Sequence, residues 1–472
     1  MASATPRGEG FLTLLRKRNF LLLWLAQLIS MTAFWAANYG LIVLITKQTT
    51  STTLVGLAII CASLPAVIIG APAGVFVDRR NKRRVLFYSN CLRVIAMIGF
   101  VVSLIADSGQ LVIVYLITLL ISGIGQFFAP AEGSTIPMLV SDDELMPALS
   151  LFQITSMLSN ALGFLVLGPV LLLLIPDLHI GGLTFTSVES LYVMMAILYA
   201  VCAVLVLLIP QRSFVESHIQ ARQESAAELT AESLNVWQTV WREMVQAWTF
   251  IRRRPMLFAS VIQLSFAGVL FSVIGQLAPT LVKRLLDLDP TFMAFIFAPA
   301  GVGLVLGSIF MPRITKVLGK PRTILLGCIA LAILVALIPF TAFIAHDLEY
   351  QGFAVSAWHI GITCLLMFLA GIALDFINIP ANTSMQEHTP DWIKGRVLAL
   401  QLALFNGASI PVILLVGWIG DALNLSVAMY LLAIGVAIFG GWSLFYEHKP
   451  HPRAHEIEPE QQLREEREAQ RI

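Results

Sequence analysis

The chain has 472 residues, 57% of them hydrophobic and only 12% charged, with a net charge of +1 and a mean hydropathy of +0.82. Soluble domains carry about 25% charged residues, so this composition excludes a soluble globule and indicates a polytopic membrane protein. A near-zero net charge also argues against nucleic acid as the main partner.

Arg16-Lys17-Arg18 precedes the first long apolar run, which reads as a retained first span with its basic flank on the cytoplasmic side. Runs long enough to cross a bilayer, about 20 residues each, fall near 20–46, 53–77, 85–106, 111–130, 146–175 and 188–210, numbered here spans one to six. Spans seven to twelve follow near 256–284, 291–312, 322–345, 358–380, 396–420 and 425–446. The pattern predicts an all-α polytopic membrane protein of 12 transmembrane helices in two six-helix bundles. The N-terminal bundle occupies 1–210 and the C-terminal bundle 256–446; a cytoplasmic linker (211–255) joins them and a cytoplasmic tail (447–472) ends the chain. With both termini inside, all but four of the 30 Lys and Arg fall on cytoplasmic segments; the exceptions are Lys47, Arg93, Lys283 and Arg284. An asymmetry that large is hard to obtain with a wrong number of crossings.

The densest signal is Gly70 to Arg84, GAPAGVFVDRRNKRR. Gly70 and Gly74 share a helix face, where another backbone can approach closely. Asp78 then carries a lone negative charge before Arg79, Arg80, Lys82, Arg83 and Arg84, which mark the cytoplasmic end of span two. Gly303 and Gly307 before Arg313, Lys316, Lys320 and Arg322 repeat this weakly in the second half, with Met311-Pro312 where an acid would be expected. Phe127 to Ala131 likewise parallels Ile377 to Ala381. Such a duplication implies a pseudo-twofold axis along the membrane normal and a central site between the halves.

In the linker, Trp237, Trp241, Met244, Trp248 and Ile251 recur at helical spacing. This predicts an amphipathic helix lying on the inner leaflet; the alternative is a helix packed on the ends of the spans. The charged, Gln/Glu-rich tail is expected to be disordered beyond a short helix. The five cysteines (Cys61, Cys91, Cys202, Cys328, Cys364) all sit in apolar runs without paired spacing, as small packing residues do.

The G-x-x-x-D-R-x-x-x-R-R order at Gly74, Asp78, Arg79, Arg83 and Arg84 resembles the signature between the second and third helices of the major facilitator superfamily. Gln386 to Val397, reading QEHTPDWIKGRV, resembles a stretch of the twelve-span drug-efflux branch, similar to macrolide and siderophore exporters. Pro130-Ala131 with Ile136 to Val140 and Asp142 to Leu145 looks like the matching stretch of the first half. The resemblance implies that Asp78, with Arg79 and Arg83, latches the cytoplasmic side shut against the start of span eleven at Gly395-Arg396. A helix N-terminus of that kind favours an anion. Gly163, Gly168 and Pro169 in span five resemble part of the antiporter motif of exporters; Pro169 removes a donor and would kink the helix. The glycines that motif carries after the proline are replaced by Val170, Leu171 and Leu172.

Ionisable groups inside spans are few. Asp375 in span ten either carries the coupling proton or serves as a structural partner for Asn378 or Asn382. Glu132, at the end of span four, is a second proton-coupling candidate or a gate and loop anchor. Arg93 either snorkels to the inner interface or pairs with an acid such as Glu132. Family exporters often carry an Arg in span four, and none appears in 111–130. Spans one, four, seven and ten line the cavity in the family. They supply Trp35, Asn38, Gln126, Gln263, Phe266 and Asn378 here, with Tyr39, Phe127, Phe271, Gln276 and Phe376 beside them. Few charges and many rings suit a large apolar or amphipathic small molecule. The expectation is a secondary active transporter of the plasma (inner) membrane that exports drug-like compounds, macrolide-like molecules or siderophores by alternating access. An importer or lipid transporter on the same fold is the alternative. It would need no cofactor or metal, couple to H⁺, bind no nucleic acid and act as a monomer. No metal cluster, phosphate-binding loop or nucleophile elbow suggests an enzyme.

Overall fold

The computed structural model describes residues 11–78, 80–106, 111–175, 178–180, 183–211, 236–350, 356–390 and 392–448. Twelve of its helices are long and apolar enough to cross a membrane. In order, spans one to four are Arg18–Gln48, Thr52–Asp78, Lys82–Ile105 and Leu111–Leu139. Span five is built from Asp142–Ala161, a π-helical turn at Leu162–Leu167, and Gly168–Leu174; span six is Ser187–Leu208. Spans seven to twelve are Pro255–Arg284, Met293–Leu318, Lys320–Tyr350, Ser356–Glu387, Lys394–Ala422 and Leu425–His448. A short antiparallel hairpin, Leu178–Ile180 with Leu183–Phe185, joins spans five and six.

Several helices outrun the apolar runs that announced them. Span four continues through Pro130 and Pro137 to Leu139, and span ten through Pro380 to Glu387. Hydropathy marks the hydrocarbon slab, whereas a helix ends where its hydrogen-bond ladder ends, and here the ladder runs on toward the face that carries the termini. In span five a wider π turn ends at Leu167, directly before the Gly168-Pro169 pair that begins the following α segment; π turns and prolines are both places where helices bend.

The linker helix, Val236–Arg252, corrects the expectation of a helix lying on the lipid. Ala247, Phe250 and Ile251 are buried in one cluster with Leu257 and Val261 of span seven, Met385 of span ten and Val397 and Leu400 of span eleven. Trp248 and Met244 pack on the same cluster, while Trp241 is left exposed. The apolar stripe serves protein contact because the span ends protruding beside it leave apolar side chains to cover. Trp237 lies among residues whose side chains are outside those described.

The buried core divides unevenly. One large cluster takes side chains from both bundles, among them Tyr39, Val43, Val55, Leu191, Val273, Leu281, Met293, Ile413 and Val416. These residues occupy the half of the molecule away from the termini, the outer end; within the second bundle the cluster runs on through Cys328, Ile324 and Ile377 toward the inner end. At the inner end there are two separate clusters. One belongs to the first bundle, around Phe20, Leu23, Leu86, Phe128 and Phe152; the other belongs to the second, under the linker helix. The bundles therefore share apolar burial at the outer end and each has its own at the inner end.

Candidate functional site

The seam between the bundles is a hydrogen-bonded structure at its outer end. Asp421, in the last turn of span eleven, reaches the first turn of span two. Its carboxylate accepts from Ser51 Oγ at 2.5 Å and from the backbone N–H of Thr52 and Thr53 at 2.6 and 3.0 Å. Gln276 of span seven is fully buried and donates to the carbonyls of Thr52 (3.1 Å) and Ile413 (3.0 Å). Tyr39 of span one donates to the carbonyl of Thr291 at 2.6 Å. Lys283 donates to the carbonyl of Thr46, and Arg284 to those of Thr50 and Gly420. Lys47 faces Asp289 across the same seam at 3.5 Å. Backbones come close here: a β-carbon on Gly417 would sit 2.8 Å from Thr53 Cα, and one on Gly56 would meet Gln276 Nε2 at 2.5 Å.

The inner end of the seam is different. A β-carbon on Gly74 or on Gly395 would meet nothing within 4 Å, and one on Gly70 would meet only Gln126 Oε1 at 3.6 Å. Among the described residues, none makes the close approach expected at Gly70 and Gly74. The degenerate copy behaves in the opposite way: Gly303 and Gly307 are pressed against span ten, with Phe368 O only 2.1 Å from the β-carbon position of Gly303. The side chain of Asp78, and Arg79 altogether, lie outside the described residues. Arg83 donates to the carbonyl of Leu207 at the end of span six (2.6 Å). Arg396 is held by the linker helix, at 3.3 Å from Gln246 Oε1 and 3.8 Å from Glu243.

Two buried charged sites lie inside the bundles. Arg93 is 5% exposed, so it does not snorkel; it donates to Ser30 Oγ of span one (2.8 Å) and lies over the rings of Phe128 and Tyr199. Glu132 is 4% exposed, with Arg93 as the charge acting on it and Oε1 unbonded. It is a core residue of the first bundle, not a group near water at a span end. Asp375 is equally buried, between spans ten and eight. Its Oδ2 faces Gly307, its hydrogen bond is to the backbone of Ser308, and neither Asn378 nor Asn382 bonds it.

The cavity candidates scatter. Trp35 packs on Gly163 and Tyr39 on Gly168, where β-carbons would lie 2.7 and 2.8 Å from those side chains, so the two glycines let spans one and five touch. Asn38 bonds the carbonyl of Phe34 and lines a cavity of about 20 Å³ inside the first bundle with Met97, Thr118 and Tyr192. Gln126 donates to the Ser122 carbonyl and fills the gap beside Gly70. Gln263 is fully buried and donates to Ser443 Oγ of span twelve at 2.7 Å, and Phe266 stacks on Phe439 of the same span at 3.6 Å. These two therefore bind span seven to span twelve instead of facing the cleft. Asn378 is exposed. Sequence reasoning missed Asp421 and marked Lys283 and Arg284 only as cations outside the cytoplasmic segments. The one available signal was that these are the few charges displaced to outer loops and span ends.

Two six-span bundles, joined at one end and parting toward the other, define a membrane transporter of the two-bundle class. The chain belongs to the Major Facilitator Superfamily, whose model matches residues 23–388. It is 22% identical over 425 residues to an uncharacterised MFS-type transporter, YfiS, of Bacillus subtilis, covering 88% of this chain and 91% of that protein. It is 28% identical to macrolide efflux protein A of Streptococcus pyogenes over 131 residues only, 27% of this chain and 32% of that protein. Solved structures of like fold include the nucleoside transporter NupG (TM-score 0.63, 14% identity, 91% of this chain and 98% of that one). A bacterial homologue of the iron transporter ferroportin in its inward-facing state is also similar (TM-score 0.62, 15% identity, 91% and 99%).

Proposed function

We propose that this transporter is a proton-coupled exporter of amphipathic, drug-like molecules that works by alternating access, as a monomer in the plasma membrane with both termini in the cytoplasm. The observation that carries the alternating-access part of this reading is the divided core, with burial shared by both bundles at the outer end and separate clusters at the inner end. A molecule built this way exposes its cleft to the inner side and has to part the outer cluster to release cargo outward. Export of a macrolide-like compound is favoured by the partial likeness to macrolide efflux protein A. Glu132 and Asp375 are the proposed proton carriers: both are carboxyls buried inside a bundle, Glu132 under the influence of Arg93 and Asp375 beside Gly307, and buried charge of this kind is usually reserved for function in membrane proteins.

Everted vesicles test the direction and the drive together. Accumulation of a fluorescent amphipathic dye or a macrolide should collapse on adding a protonophore and should fall in Glu132→Gln and Asp375→Asn. Uptake confined to right-side-out vesicles would defeat export in favour of an importer, and movement of a labelled phospholipid alone would favour a lipid transporter. Asp78→Asn should lower transport while leaving membrane insertion intact, measured by vesicle flux against the amount of protein in the membrane; undiminished flux would remove the latch.

A further inference from the structure

The outer seam contains a device that the inner-latch signature does not describe. Span two begins at Thr52, and its first N–H groups have no partner within their own helix. Ser51 caps that end in the ordinary way, its Oγ accepting from Leu54 N at 3.2 Å. The remaining N–H groups, of Thr52 and Thr53, are satisfied by a carboxylate from the other bundle, some 370 residues away in the chain, and Ser51 Oγ donates its own proton to the same group. The carboxylate is delivered by the last turn of span eleven. Gly417 and Gly420, on the approach, leave room for the backbone of Thr53 and the side chain of Thr52.

We propose that Asp421 is an outer latch, a cap supplied by one bundle to a helix of the other that holds the transporter closed on the outer side. Its geometry reverses the inner latch expected for Asp78. There, an acid at the end of span two meets the start of span eleven; here, an acid at the end of span eleven meets the start of span two. The exchange of roles follows from spans two and eleven running antiparallel side by side, so that the start of each lies beside the end of the other; the pseudo-twofold axis maps span two onto span eight and does not generate this pair by repetition. The two contacts oppose each other: closing one face separates the helix ends of the other. A charged cap on a helix N-terminus is stabilising through both its hydrogen bonds and the helix dipole. Because both partners leave together when the bundles part, its loss weights the equilibrium between faces without altering either bundle's interior.

This inference rests on the alternating-access reading but not on export, substrate or proton coupling. The test uses purified protein in lipid nanodiscs with spin labels on cysteines placed at Val112 and Leu423, both exposed at the outer end of different bundles. Wild type should give one short distance population. Asp421→Asn, which keeps the shape, should raise the ratio of a longer population to the short one by roughly tenfold, the size expected for charged hydrogen bonds. Ser51→Ala leaves both carboxylate-to-amide bonds and should shift the ratio less. Size-exclusion elution and thermal midpoint matching wild type establish that the variants fold. An unchanged distance distribution in folded Asp421→Asn would overturn the latch, as would a Ser51→Ala shift as large as that of Asp421→Asn. Vesicle flux reports separately: lost export with the distance shift intact would count against the function proposed above, not against the latch.

Discussion

At the scale of single residues, the same amino acid is essential or idle according to what lies beside it. Gly163 has Thr32 O where a β-carbon would need to be, at 2.4 Å, whereas Gly74 has nothing within 4 Å. Gly163→Leu should force spans one and five apart and lower the melting midpoint, by about 1–3 kcal/mol of overpacking. Gly74→Ala should leave it unchanged; tryptophan fluorescence on heating reads both. Asp289 lies just outside span eight. Burial alone would raise its carboxyl, but hydrogen bonds from the Thr291 side chain and backbone and the charge of Lys47 outweigh it and hold it below the usual value. Stability from a depressed carboxyl is present above its unfolded value, about 3.9, and lost as pH falls through the lower folded value. The gap in melting midpoint between wild type and Asp289→Asn should thus be constant from neutral pH to about pH 4 and close below it.

At the scale of elements, the linker helix is the clearest case of a pattern with two uses. Trp241 remains exposed while Ile251 is fully buried against spans seven and eleven. Ile251→Asp buries an unpaired charge and should undock the helix, making the Arg252-Arg253-Arg254 run susceptible to trypsin in folded protein. Trp241→Ala should leave the cleavage pattern of wild type. The helix also holds Arg396 at the start of span eleven through Gln246 and Glu243, so undocking it frees one of the residues assigned to the inner gate.

At the scale of the whole molecule, the described residues of the two bundles share burial at the outer end and form separate clusters at the inner end. A short thiol-specific cross-linker between cysteines at positions 47 and 289, whose native side chains approach to 3.5 Å across the seam, should freeze this state. Vesicle flux should stop on cross-linking and return when a cleavable linker is reduced. Flux that continues through the cross-linked protein would show that the outer seam does not open during transport.

Much of this was legible in the chain because hydropathy and charge are local properties that the bilayer reads directly. Twelve runs of sufficient length, a basic bias on alternate loops and two weakly similar halves determine the number of crossings, the two bundles and the family. The helix ends were less legible, since Pro130 and Pro380 stop an apolar run without stopping a hydrogen-bond ladder. The site was least legible. Gln263 and Phe266 look like cleft residues on span seven and turn to span twelve, and Arg93 and Glu132 prove to be core residues of one bundle. Which face of a long apolar helix meets a neighbour depends on the rotation and tilt of that helix, and a uniformly apolar span has almost no stripe from which to read either. Asp421 is the extreme instance: nothing in DALN announces a cap for a helix some 370 residues earlier. The local sequence determined that this chain crosses the membrane and how often; only the packing of one bundle on the other decided which charges hold it shut.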